Sequence, residues 1–478
     1  MKSLYLTIHN PDLEPAPSAS QQTLFDQGHE VGTRAQQEFP GGVLIEVPYY
    51  DTDGAIKQTE AAIKGGAQVV YEATFVNDGL SARIDILTKA PREGSWNIIE
   101  VKSSTSVKPE HLDDVAIQVH VAEAAGLKIE KASVMHLNNQ STAPALKDLF
   151  NLQDVTSMIG PNKKDLPKHI SSLRNALTQG EPPKLEIGPH CHEPYECPFV
   201  KECWSHVPSP SIFDFPGLGA KAWDFYAKGI VKLDDPKFGP FTGSKAHRLN
   251  AARTGRRWTD TDGIVEGFDG WKWPLLHLDF ETIAFAIPRY PGTRPYEQVP
   301  FQFSAMIQKE KCGPVEHVEF LHDQRTDPRP RLLAALVKVL SNQGSIVAYN
   351  KGFESSRLKA MANAFPEHAD TLLAACDRLV DPLPIFRNSV YDPAFKDSFS
   401  IKSVAPAILG PAASYHGLTV PDGNAAQRAF VEYIDPTVTP ARKSELQKSM
   451  LAYCKKDTEV MVQLVDWLVS QVNTKAAA

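Results

Sequence analysis

The stretch WNIIEVKSST, Trp96 to Thr105, sets the isoleucines and valine of a buried strand around two charges, Glu100 and Lys102. A strand sends alternate side chains to one face, so these two point the same way. Burying a carboxylate and an ammonium is costly unless each meets a strong partner. Either they neutralise each other as a structural ion pair, or they stand where a metal ion and a phosphate bind. Upstream, LSARIDILTK carries Asp85 on the preceding apolar run, and AQVVYEATFV carries Glu72 on the one before it. Three strands of one sheet then each hold an acid, and such acids repel unless a cation lies between them. An oxygen-ligated divalent ion, Mg²⁺ or Mn²⁺, fits that donor set. Lys102 beside it is suited to orienting a water or steadying a phosphate. Downstream, HLDDVAIQVHVAEAAGL has the spacing of an amphipathic helix and KASVMHLN that of another strand.

Asp85 followed by Glu100-x-Lys102 on the next strand resembles the PD-(D/E)xK nuclease signature in its RecB-like branch. That branch continues with a helix bearing a glutamine, and Gln118 stands at that place. The resemblance implies a restriction-endonuclease-like mixed sheet with flanking helices, and catalytic roles for Lys102 and Gln118. RecB-like enzymes often add a metal-binding histidine on the first helix. Here FDQGHEVGTRAQ offers His29 in a different register, with Gly32 at the ligand position, and the expectation is a site without histidine.

IGPHCHEPYECPFVKECW spaces Cys191, Cys197 and Cys203 as C-x5-C-x5-C, whereas Cys312, Cys376 and Cys454 are scattered. In a reducing compartment such a cluster favours metal over disulfides. It resembles the cysteine triad of iron–sulfur nucleases in the RecB-like class, CRISPR-associated members included. In those, a cysteine near the N-terminus supplies the fourth ligand. The resemblance implies a [4Fe-4S] cluster whose fourth ligand lies upstream of Met1, since no cysteine precedes Cys191. The alternatives are His190 or His192 as fourth ligand, giving zinc or an unusual cluster, and no metal at all.

WPLLHLDFET repeats the opening puzzle, with Asp279 and Glu281 on one face of an apolar strand. SIVAYNKGFESSRL passes from a strand into a helix carrying Glu354. The terminal segment KSELQKSMLAYCKKDTEVMVQLVDWLVSQV is helical in pattern and puts Tyr453 one turn from Asp457. Four acids converging on one pocket require cations, the arrangement of two-metal phosphodiester hydrolysis. The set resembles the DnaQ-like (RNase H-fold) exonucleases of the DEDDy kind. Asp279 and Glu281 match the first motif, and Tyr453 with Asp457 matches the third, while Glu354 stands where that family has aspartate. The resemblance implies an RNase H-like mixed sheet with flanking helices and removal of nucleotides from a 3′ end. It also implies that Tyr453 orients the attacking water. Lys402 in DSFSIKSVAP is a candidate phosphate contact. Asp381 in LVDPLPIF either supports the site or caps a turn.

The expected class is therefore α/β with two domains: residues 1–207, a connector 208–270, and residues 271–478. The connector is weakly helix-hairpin-helix-like and carries a basic run, Lys245, Arg248, Arg253, Arg256 and Arg257, beside Trp258. That run reads either as a solvated loop or as a surface tracking nucleic-acid phosphates. The 478 residues, 42% hydrophobic and 22% charged, are ample for several cores. A net charge of −7 leaves no global attraction to nucleic acid, so any binding is local. No apolar run is long enough to span a bilayer and no signal-peptide pattern opens the chain, which makes the cytoplasm the expected location. Together the resemblances lead to the expectation of a metal-dependent nuclease acting at two sites, with DNA bearing a free end, or RNA, as partner. The roles expected from them are DNA repair or defence against foreign DNA. In one alternative a single domain is catalytic and the other holds nucleic acid; in another the chain is a scaffold with decayed sites.

Overall fold

The computed structural model describes residues 1–341 and 343–476. It has a mixed α/β architecture in two compact units: Met1–Cys203 with Ala284–Glu297, and Trp204–Ile283 with Gln298–Ala478.

The first unit is built on a six-stranded sheet whose spatial order follows the chain: β1 (Val43–Leu44), β2 (Val69–Asn77), β3 (Leu80–Lys89), β4 (Ser95–Lys102), β5 (Lys128–Leu137) and β6 (Phe150–Asp154). Strands β2, β3 and β4 form an antiparallel meander, whereas β4 and β5 run parallel. A parallel pair needs a crossover, and the helix Pro109–Ala124 supplies it. Its Val115 and Val119 pack with Val70, Ile84, Ile98 and Val134 on one face of the sheet. On the other face Ala35, from the helix Ala19–Gln36, meets Tyr71, Ile86, Ile99 and Met135. Alternation along β4 therefore carries Glu100 and Lys102 to the side of Ile98, toward the crossover helix.

The second unit has a five-stranded sheet. Its strands are β8 (Leu275–Ile283), β9 (Val299–Gln308), β10 (Val315–Leu321), β11 (Ser345–Val347) and β12 (Leu379–Val380), in the order β10-β9-β8-β11-β12. The first three are antiparallel, and β11 and β12 run parallel to β8. Leu276, Leu278 and Phe280 face a core with Leu336, Leu358 and Leu372. Leu275, on the opposite face, packs with Val347, Met461 and Val465. Asp279 and Glu281 share the parity of Leu275, so the strand's period aims them at the terminal helix Pro440–Ala476.

Two features depart from the sequence expectation. The segment 208–270 belongs to the second unit rather than standing as a separate connector. Its Ile212, Phe215, Phe238 and Leu249 make their own apolar cluster, and β7 (Trp258–Thr259) pairs with β13 (Val390–Tyr391). Conversely, residues 284–297, which join β8 to β9, belong to the first unit. There Ala286 packs with Val31, Leu137 and Leu149, and the Tyr296 hydroxyl donates to the Ser103 carbonyl. Among the described residues no helix is long and apolar enough to cross a membrane.

Gly344 has φ +99°, and a Cβ there would come within 2.0 Å of the Pro274 carbonyl oxygen. Gly229 has φ +75° with nothing near its missing Cβ. Gly344→Ala is therefore expected to cost roughly 2 kcal/mol or more, against about 1 kcal/mol for Gly229→Ala, read from urea unfolding midpoints. Equal losses would show that the Pro274 contact is not tight.

Candidate functional site

Both stretches singled out in the sequence become pockets of buried acids. In the first unit the β3–β4 ladder stops at Ile86–Ile99, leaving Asp85 beyond it. Opposite Asp85, Glu72 has φ +60°, a left-handed kink within β2. Asp85 turns to β4 and accepts the Val101 N–H at 2.7 Å. Glu100 accepts from Lys102 Nζ and from Gln118 Nε2, both at 2.6 Å, through its two oxygens. Lys102 Nζ also donates to Asp114 at 2.5 Å. Glu72 pairs with Arg83 at 2.8 Å.

Burial pushes Asp85 up to about 6, against the Val101 hydrogen bond and with help from Glu72. Burial and then Asp85 push Glu100 well above the usual carboxylate range. For Lys102 burial opposes the charge, but Glu100 and Asp114 outweigh it and hold the ammonium above its ordinary value. Burial also raises Glu72, opposed by Arg83 and His29. His29 thus lies close enough to act on Glu72, while the space beside Gly32 is open. The opening question has a double answer: Glu100 and Lys102 are an ion pair, and that pair borders a pocket of further acids. Asp114 was not anticipated; its signal was its place four residues before Gln118, on the same helical face.

In the second unit, β8 contributes Asp279 and Glu281, the helix Gly352–Ala364 contributes Glu354, and the terminal helix contributes Tyr453, Cys454 and Asp457. One oxygen from each of Asp279 and Glu281 and the Cys454 sulfur lie within 4.8 Å of one another. Asp457 accepts from the Tyr415 hydroxyl at 2.5 Å. Lys402 Nζ sits 5.0 Å from the ring centre of Tyr453 and 5.4 Å from that of Tyr415, and donates to the Pro421 carbonyl at 2.9 Å. Asp381 accepts from the backbone N–H groups of Asn350, Lys351 and Leu383, so it fixes the turn leading to Glu354 and is a capping residue.

Burial, followed by Asp457, Glu281 and Glu354, pushes Asp279 well above the carboxylate range. Glu281 rises to about 8 through burial and then Asp457, with Lys402 opposing. Burial also lifts Glu354 to about 8 and Asp457 to about 6, the latter against hydrogen bonds from Tyr415 and Tyr453. Raised in this way, these groups hold protons more tightly than free carboxylates do. A divalent ion would relieve the same repulsion, and the donors are of the oxygen type that Mg²⁺ and Mn²⁺ take. Sequence reading missed Tyr415 and Cys454. Tyr415 lies on a loop with no period to betray it, and Cys454 was visible only as the neighbour of Tyr453.

Cys191, Cys197 and Cys203 are free thiols lining a cavity of about 410 Å³ with His190, Glu186 and Met1. Among the described residues their sulfurs are not all within 4.8 Å of one another, unlike the Asp279 group.

Most of the basic run is also bonded within the chain. Lys245 donates to the Gly217 carbonyl, buried Arg248 to that of Arg387, and Arg253 to those of Leu233, Asp235 and Phe238. Arg257 pairs with Asp392 and bonds the Ala407 carbonyl. Arg253, Arg256 and Arg257 are exposed, and Arg256 makes no such bond among the described residues.

Residues 276–400 match the model of a family described as DUF2779, a domain of unknown function. That segment contains Asp279, Glu281 and Glu354 but ends before Tyr453 and Asp457. The chain is 26% identical over 232 residues to the uncharacterized MG366 homolog of Mycoplasma pneumoniae, covering 44% of this chain and 35% of that protein. It is 25% identical over 233 residues to the uncharacterized protein UU173 of Ureaplasma parvum, covering 44% and 33%. The chain thus spans about a third of the length of these curated relatives.

The raised acids fix the sign of a pH effect. A carboxyl whose folded pKa exceeds its unfolded value binds more protons when folded, so stability falls as pH rises between the two. For Glu281 that window runs from 4.5 to about 8. Metal-free protein is expected to unfold at lower urea at pH 8 than at pH 5. Glu281→Gln is expected to flatten this slope and to stabilise the metal-free protein at pH 8 by about 1–2 kcal/mol. A wild-type midpoint independent of pH would contradict the repulsion inferred here.

Proposed function

We propose that the chain is a metal-dependent nuclease hydrolysing phosphodiester bonds at two separate sites. The observation that carries this reading is the convergence of Asp279, Glu281, Glu354 and Asp457, from three separate elements, on one pocket of mutually repelling acids. The β10-β9-β8-β11-β12 order supports it, since this is the order of an RNase H-like sheet with the acidic strand at its centre. Bound there, Mg²⁺ or Mn²⁺ would activate water and neutralise the charge gathering on phosphate. Asp279, Glu281, Glu354 and Asp457 would hold the ions. Tyr453 orients the water by hydrogen bond, with Tyr415 fixing Asp457 from the other side. Lys402, already close enough to lower Glu281 and Asp457, supplies a positive contact for phosphate.

In the first unit Asp85 and Glu100, with Glu72, would hold Mg²⁺ or Mn²⁺, and Gln118 orients Glu100. Lys102 is the catalytic ammonium. Its present engagement with both Glu100 and Asp114 favours a second reading, in which only the second unit is catalytic and the first holds nucleic acid. At the cysteines, zinc in a tetrahedral site would need sulfurs about 4 Å apart. The cavity that the three cysteines line is the place of the [4Fe-4S] cluster in this reading, with zinc as the alternative. The partner is nucleic acid with a free end, DNA in the first instance, in a cytoplasmic setting of repair or defence.

Labelled single- and double-stranded DNA and RNA, incubated with Mg²⁺ or Mn²⁺, test the proposal. Asp279→Ala is expected to lower nucleotide release from 3′ ends by at least about 100-fold, the upper end of what losing even an outer partner costs a metal site. Asp85→Ala is expected to abolish a separate cleavage. Unchanged cleavage in Asp85→Ala would select the single-site reading. Wild-type protein that cuts none of these substrates would overturn the proposal.

A further inference from the structure

Cys454 is fully buried, at 0% exposure, directly after Tyr453 on the terminal helix. Its sulfur lies 3.6 Å from Asp279 Oδ2. An oxygen of Glu281 completes a set of three donors within 4.8 Å of one another. Donors sharing one ion are at most about twice a bond length apart, roughly 4.6 Å for zinc and sulfur, so small movements would let one ion touch all three. A second observation points into the same pocket. Glu354 is 3% exposed, its Oε2 has no hydrogen-bond partner among the described residues, and it lies close enough to raise Asp279. A buried, unpartnered carboxylate oxygen on a group that acts on Asp279 is available as a further ligand. Asp279 is only half-buried, which leaves a way in for an ion.

We propose that Cys454, Asp279 and Glu281 form a mixed sulfur–oxygen site for a thiophilic divalent ion of the zinc or cadmium type. Hard ions such as Mg²⁺ gain little from a thiol, whereas Zn²⁺ and Cd²⁺ bind thiolate strongly. As the metal–sulfur bond forms, the thiol proton leaves to the buffer, and no electron is transferred. Such an ion would compete with Mg²⁺ or Mn²⁺ for the two carboxylates. The pocket would then discriminate among metals in a way that carboxylates alone do not. The inference rests on the reading of Asp279 and Glu281 as metal ligands, not on the reaction assigned to them.

Cadmium titration of the full chain, followed by the ultraviolet thiolate-to-cadmium charge-transfer band, tests it. Wild type is expected to show one more cadmium–thiolate equivalent than Cys454→Ser, which keeps the volume and replaces sulfur by a hard oxygen. Cys454→Ala carries the same expectation, with circular dichroism checking that each variant is folded. Asp279→Asn is expected to weaken that extra equivalent by at least about tenfold, since it loses a co-ligand. Equal cadmium uptake in wild type and both Cys454 variants would overturn the proposal, as would full affinity in Asp279→Asn. A cadmium difference in a protein that cuts no nucleic acid would retain this site and sink the nuclease reading. Cleavage without a cadmium difference would do the reverse.

Discussion

Carboxylates buried side by side repel, and here the backbone, not the solvent, forces them together. The alternation of β8 commits Asp279 and Glu281 to one face, and the pitch of the terminal helix commits Tyr453 and Asp457 to another. Asp381, bonded to three backbone N–H groups, sets the entry of the helix that delivers Glu354. None of these constraints can relax without breaking a ladder or a cap. The remaining freedom is chemical, in the form of a proton or a metal ion.

The two pockets resolve the same conflict differently. In the first unit an internal cation does much of the neutralising: Lys102 lies between Glu100 and Asp114, and Gln118 occupies the other oxygen of Glu100. The left-handed Glu72 belongs to this arrangement, since the kink at Glu72 faces the point where Asp85 leaves the ladder for Val101. In the second unit Arg357 acts on Glu354, while Lys402 sits over two aromatic rings and donates to a carbonyl rather than to an acid. That pocket therefore keeps protons, with Glu281 and Glu354 both lifted to about 8. The second pocket has the greater unmet demand for positive charge.

Much of this was legible because it rests on short periods. LLHLDFET announces by alternation which face its acids take, and Tyr453 and Asp457 declare themselves one helical turn apart. Strands β2 to β5, β8 and β11, the crossover helix and the terminal helix follow from the same rule. What escaped depends on partners distant in sequence. Tyr415 reaches Asp457 from a loop, across 42 positions. The carbonyl acceptors of the basic run are equally remote, and Arg248 finds its acceptor 139 positions away. Likewise, nothing local says that 284–297 packs with Val31 and Leu137 although its flanking strands belong to another sheet.

The account depends on divalent ions entering these pockets. Crystals soaked in Mn²⁺, with anomalous scattering used to locate the metal, would examine that directly. The account predicts one peak among Asp279, Glu281 and Asp457 and another between Asp85 and Glu100. Maps without a peak at either place, the carboxylates unmoved and still sharing protons, would contradict it.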